Sequence, residues 1–150
     1  MAKPVLGRDL ALDYTLGAFR EDADFRARRA LGLGRTDLEL IEDEDNLVQA
    51  VANRLKTRKG ELAALGHPDY GSRHHELMGE PNVERTRNLI KFYVLRALRD
   101  EPRIERVLRA DVRAEHAPPR EVVRIELTIK PIGGQVPLNL VVPFSLEGGV

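Results

Sequence analysis

Val122-Val123-Arg124-Ile125-Glu126-Leu127-Thr128-Ile129-Lys130 alternates apolar and polar residues from Val123 onward. Successive side chains of a strand point to opposite faces, so Val123, Ile125, Leu127 and Ile129 line one face and Arg124, Glu126, Thr128 and Lys130 the other. That is the pattern of a strand buried on one side. The same period extends outward in both directions. Leu108, Ala110, Val112 and Ala114 alternate with Arg109, Asp111, Arg113 and Glu115 on the N-terminal side. Val136, Leu138, Leu140, Val142, Phe144 and Leu146 share one face on the C-terminal side. The links His116-Ala117-Pro118-Pro119 and Pro131-Ile132-Gly133-Gly134 are short, which predicts an antiparallel meander of three strands.

One face of such a meander needs cover, and two amphipathic helices precede it. The first is expected at about 44–58, with Leu47, Val48, Val51, Ala52 and Leu55 on one face. Glu42, Asp43, Glu44 and Asp45 stand at its start and Arg54, Lys56, Arg58 and Lys59 at its end, both with the sign the helix dipole favours. Gly66-His67-Pro68-Asp69-Tyr70-Gly71-Ser72 reads as a turn, followed by a short helix over 73–78. The second long helix is expected over 83–99, capped by Asn82, with Val83, Thr86, Leu89, Ile90, Tyr93, Val94, Ala97 and Leu98 as a broad apolar stripe. Pro102 ends it and opens a helical turn from which Ile104, Val107 and Leu108 face inward. The fold class is therefore α+β: an antiparallel β-meander covered by two main amphipathic helices. Asp9–Tyr14 and Asp37–Leu40 alternate weakly and read as short N-terminal strands that can join the meander. The stretch between them, 19–31, stays open between a short helix and an excursion. Residues 1–35 form an N-terminal arm or extension, and residues 36–150 a single domain.

The chain has 150 residues, with 24 Lys+Arg against 24 Asp+Glu and no cysteine. Zero net charge argues against a nucleic-acid or anionic-membrane partner and removes the usual charge protection against self-association. Without cysteine there is no disulfide framework and no thiolate nucleophile or metal ligand. No apolar run reaches the ~20 residues of a membrane span, and the first residues lack the apolar core of a signal peptide, so a cytoplasmic protein is expected.

Catalysis finds no support. His67, Asp69, His74, His75 and Glu76 cluster without the spacing of a known metal motif, and the preferred reading is a polar turn with solvated histidines. Ser72 and Ser145 lie in no nucleophile elbow. No catalytic residue, metal site or cofactor is expected. Arg26, Arg28 and Arg29, like the basic end of the first helix, read as solvated charge. Glu101-Pro102-Arg103-Ile104 is different, since it sets a carboxylate and a guanidinium at a rigid helix-to-sheet junction.

The ordered combination of Thr57-Arg58-Lys59-Gly60-Glu61-Leu62, Pro68-Asp69-Tyr70-Gly71-Ser72, a long helix ending in Glu101-Pro102-Arg103-Ile104, and a β-meander resembles one family across about residues 37–146. It is the baseplate wedge family of contractile tails, also labelled gene-25-like lysozyme, with members in contractile phages, type VI secretion baseplates and contractile injection systems. The resemblance implies a structural subunit in six-fold copies around the tube and hub, partnered by other wedge subunits, the sheath protein and inner tube proteins. It would be assembled in the cytoplasm into a contractile particle. It implies that Glu101, Pro102, Arg103 and Ile104 dock on the core bundle of neighbouring wedge proteins. It also implies that the last strand, with Leu138, Asn139, Leu140, Val141, Val142 and Phe144, templates the sheath by strand addition. A lysozyme-like peptidoglycan hydrolase is the alternative, and it would need a carboxylate pair that the sequence does not display.

The residues of the last strand bear on that role independently. Pro137 and Pro143 are odd-numbered, opposite in parity to the apolar set, so both missing N–H donors fall on one edge. That edge is expected to face away from 122–130, with Asn139, Val141 and Ser145 still able to donate.

Overall fold

The computed structural model describes residues 5–16, 21–29, 34, 36–118 and 120–147. In chain order the elements are β1 (Arg8–Leu10), β2 (Leu12–Leu16), β3 (Glu21–Phe25), β4 (Ala27–Arg29), β5 (Thr36–Leu38), β6 (Leu40–Glu42), α1 (Asp43–Lys56), two 3-10 turns (Ala63–Leu65 and Arg73–Leu77), α2 (Glu84–Leu98), β7 (Ile104–Ala114), β8 (Val122–Pro131) and β9 (Leu138–Ser145). The chain forms two compact units, Met1–Gln49 and Ala50–Val150.

Among the described residues of the first unit the sheets are two-stranded antiparallel ribbons: β1 with β6, β2 with β3, and β4 with β5. The residues left open between helix and excursion are thus strands over the described part of 19–31. The three ribbons meet in a closed cycle of backbone hydrogen bonds. Ala11 N–H donates to Glu39 O, Glu39 N–H to Arg26 O, and Arg26 N–H to Ala11 O, at 2.8–2.9 Å. Each of these residues sits between two strands, so the cycle satisfies backbone groups that no ladder reaches. Buried Gln49 reinforces the crossing: its Nε2 donates to Leu10 O at 2.9 Å and its Oε1 accepts from Leu12 N–H at 2.8 Å.

In the second unit the sheet order is β7-β8-β9, antiparallel throughout, as the meander requires. Val123, Ile125, Leu127 and Ile129 are essentially inaccessible to solvent, and Leu140, Val142, Phe144 and Leu146 are buried with them. Helix α2 packs on β7 and on the 3-10 turn Arg73–Leu77, burying Thr86, Ile90, Val94, Ala97 and Leu98. Val83 and Leu89 at the margins of its expected stripe are exposed instead.

Three local expectations fail for physical reasons. Pro102 opens no helical turn, because β7 begins at Ile104, paired with Pro131. The register of β7 against β8 slips between Ile104 and Arg106 and again between Val107 and Arg109. The second slip leaves Leu108 unopposed and exposed, since a bulge reverses which residues face inward. Asn82 does not cap α2. The residue there is Val83, without a side-chain cap, while Asn82 Nδ2 donates to Arg120 O and Asn82 Oδ1 accepts from Arg87.

Candidate docking junction and sheet edge

The junction between α2 and β7 is a tight turn, with Glu101 N–H donating to Leu98 O and Ile104 N–H to Glu101 O, both at 3.2 Å. It turns Glu101 inward, where its side chain is 4% exposed. The carboxylate accepts from Arg103 Nε at 2.6 Å, Arg103 Nη2 at 3.1 Å and the Arg103 N–H at 3.3 Å. Arg54 Nη2 approaches from α1 at 3.4 Å, and its guanidinium lies 4.6 Å above the Tyr70 ring. Burial pushes the Glu101 carboxyl up, but the hydrogen bonds and charge of Arg103, with Arg54 behind them, hold it below the usual carboxylate range. Burial pushes the Tyr70 hydroxyl up, against the charge of Arg54.

Of the four residues the sequence singles out here, Glu101 is thus an internal brace, Pro102 is exposed, Ile104 is half-buried and Arg103 spans inside and outside at 30% exposure. Sequence reading missed Arg54 and Tyr70. The sequence places Arg54 at the solvated end of α1, yet it is buried on the stripe of Leu47, Val51 and Leu55. A cation on an apolar face was the available signal. A shallow open cleft beside the junction is lined by Arg54, Lys59, His67, Asp69, Tyr70 and Asp100.

The turn carrying Tyr70 is pressed onto the end of α1. Ser72 N–H donates to Thr57 O at 2.9 Å and Lys59 N–H to Ser72 O at 3.2 Å, forming a short parallel bridge. Gly71 has φ +99°, and a Cβ there would stand 2.6 Å from Thr57 O and 2.7 Å from Arg58 O. Only glycine meets both demands.

His74 and His75, after the turn, are not solvated, contrary to expectation, whereas His67 within it is exposed. His74 is fully buried, shares a 2.7 Å hydrogen bond with Ser72 Oγ and meets Phe144 edge-on at 4.6 Å. Burial, with neighbouring His75, lowers its pKa to about 3. His75 Nε2 donates to Leu55 O at 2.8 Å. These rings bond within the core, and among the described residues no group of three His, Cys, Asp or Glu side chains is placed to hold a metal ion.

Strand β9 lies at the edge of its sheet. Pro143 stands opposite Arg124, and without an N–H it belongs to a pair that exchanges no ladder bond. The even-numbered residues therefore donate toward β8, and Leu146 continues that parity by donating to Glu121 O at 2.8 Å. Leu140, Val142 and Phe144 accordingly face the core, while Asn139 and Val141 are exposed and their N–H groups point away from β8 with that of Ser145. Among the described residues no strand pairs with this outer edge. Thr128 Oγ1 donates to Asn139 Oδ1 at 2.8 Å across the ladder.

Residues 41–131 match the model of one protein family, described as baseplate wedge protein gp25. A protein from Geobacter sulfurreducens described as a tail lysozyme superposes with a TM-score of 0.62 at 27% identity, over 71% of this chain and 94% of its own. A chain of a type VI secretion baseplate complex shares the fold with a TM-score of 0.53 at 22% identity, over 68% of this chain and 92% of its own. No curated protein matches.

Proposed function

The chain belongs to the baseplate wedge protein gp25 family, a structural component of contractile-tail baseplates, and on that premise we propose that it joins the wedge subunits to the first ring of sheath. In this reading β9 is the template. Its outer edge keeps the N–H groups of Asn139, Val141 and Ser145, and Pro143 blunts the same edge without closing it, with Pro137 just before the strand. An unpaired edge accepts an extended segment of another chain through backbone hydrogen bonds. Leu138, Leu140, Val142 and Phe144 hold the strand to its own core, so docking falls to the backbone and to the outward side chains of Asn139 and Val141.

The junction is the second contact. Pro102, Arg103 and Ile104 face neighbouring wedge subunits of a six-fold assembly around the tube and hub, and buried Glu101 sets the angle of Arg103. Residues 36–150 carry this role, with 1–35 as an added arm, and assembly takes place in the cytoplasm. The protein works by holding, not by hydrolysis. Purified chain should release no more soluble fragments from peptidoglycan than buffer does, and turnover abolished by one carboxylate substitution would overthrow this reading.

The observation that carries the proposal is the free edge of β9. Val141→Pro removes one further outward donor. The variant should fold, yet electron microscopy of assembled particles should find baseplates without sheath. Normal sheath length in the variant would remove β9 from the role.

A further inference from the structure

The ribbons β2–β3 and β4–β5 are unlike the rest of the chain. Each is two-stranded, and among the described residues no strand pairs with the outer edge of either. An isolated two-stranded ribbon is marginal in water, and open edges seek partners. Near the point where the two ribbons meet, Phe25 and Leu38 are both about half exposed.

Their charges are opposite. Strands β2 and β3 hold Asp13, Glu21, Asp22 and Asp24 and no cation, whereas β4 and β5 hold Arg28 and Arg29 against the single carboxylate Asp37. Within the acidic ribbon Asp13 stands directly opposite Asp24, a like-charge pairing that costs stability. Arg26 Nε donates to Asp13 at 2.8 Å, and Arg26 also approaches Glu39. Among the described residues no cation pairs with Asp24, whose side chain accepts only the neighbouring Phe25 N–H. Asp24 therefore lacks a counter-charge among the described residues, and the basic ribbon, with two cations to the one carboxylate Asp37 opposite Arg28, offers one.

Within one chain β3 and β4 do not pair with each other. Strands β3 and β4 are joined by Arg26 alone, and a chain needs about two residues to reverse into a hairpin. We propose that the acidic ribbon β2–β3 of one copy docks on the basic ribbon β4–β5 of a second copy, in a head-to-tail contact that uses the open edges. Such a contact is heterologous, so it propagates from copy to copy until it closes into a ring. Zero net charge leaves nothing to hold the copies apart.

Sedimentation equilibrium of the purified full chain tests this, with Asp24→Arg, Arg28→Glu and the combined variant as arms. Asp24 and Arg28 are exposed, so the fold should survive, and circular dichroism checks it. If a reversal disturbs folding, Asp24→Asn and Arg28→Gln replace it. At low salt the native chain should exceed the mass of one copy as concentration rises, and about 0.5 M salt should dissociate it. Either single substitution should weaken association about tenfold, and the combined variant, with the charges exchanged, should recover it. A single-chain mass at every concentration in low salt would overturn the proposal. So would association indifferent to both substitutions, or single losses that the combined variant does not repair.

Discussion

At Arg26 one guanidinium stands between two carboxylates, Asp13 and Glu39; at Glu101 one carboxylate stands between two guanidiniums, Arg54 and Arg103. Both knots sit where the chain passes from one element to the next. They differ in solvent. The Arg26 side chain is 45% exposed and that of Glu101 is 4% exposed. Water screens the first and competes for its hydrogen bonds, so the pair orients the crossing and adds little to stability. Water is excluded from the Glu101 carboxylate, so it is held against its two guanidiniums and its loss strands the buried one. The elements around them differ in the same way. The ribbons are three to five residues long, while strands of eight to eleven residues in the meander close over an interior.

The sharpest way to break this contrast is to remove each knot in turn. Glu101→Ala should cost about 3–5 kcal/mol in urea denaturation, because two guanidiniums lose a buried counter-charge. Arg26→Ala should leave the urea midpoint unchanged within error. Equal effects would show that burial does not separate the two. The Glu101 contribution also has a pH signature. Its carboxyl is depressed in the folded chain, so the stabilisation is complete above the ordinary carboxylate range and lost as pH falls through the lower folded value. Glu101→Gln should flatten that part of the acid limb.

The same contrast applies to apolar residues, with a slightly smaller expected loss. Ile129, fully buried in β8, should cost about 2–5 kcal/mol as Ile129→Ala. Phe25, 53% exposed in β3, should cost within about 0.5 kcal/mol as Phe25→Ala. A large loss at Phe25 in dilute solution would mean that the ribbon already has a covering partner there.

His74 gives a gentler effect. Its pKa falls from 6.5 to about 3 on folding, so above 6.5 both states are neutral and nothing is lost. As pH drops through that window the unfolded chain takes up a proton that the folded chain refuses. Stability should then fall by up to ~1.4 kcal/mol per pH unit. His74→Gln should remove this slope between neutral pH and the onset of carboxylate titration. An unchanged slope would return His74 to solvent. The smallest expected change in folding is at the β9 edge, where Val141→Pro removes an N–H that no ladder uses and should cost within about 1 kcal/mol. Assembly is where that substitution should register.

The legible part of the fold was the part where one face is buried over many residues. Val123 to Ile129 announced their strand because solvent excludes one parity and admits the other, and the same held for β9 and for α2. Legibility stopped where local geometry overrides period. A bulge changes parity without changing composition, so nothing in Val107-Leu108-Arg109 signalled that Leu108 would face outward. The ribbons of the first unit are too short for a period to emerge, and their crossing depends on hydrogen bonds among Ala11, Arg26 and Glu39 that no side chain encodes. At the junction the sequence pointed to Glu101 and Arg103 but not to Arg54, which enters from a helix 47 positions away. His74 misled because a histidine beside a turn usually meets water, and here the turn folds it under Phe144.

Gly71 decides more than the bend it occupies. Each alternative side chain there is refused twice, once by the backbone angle and once by the carbonyls of Thr57 and Arg58. Tyr70 is the adjacent residue, and its ring is the shelf on which Arg54 rests before reaching Glu101. Seen as inheritance, the smallest residue is the least negotiable. A lineage can redraw the charges along the neighbouring cleft, but a methyl at position 71 would lift the turn and carry the shelf with it. Mutational tolerance should therefore dip at position 71 and recover within a residue or two along the turn.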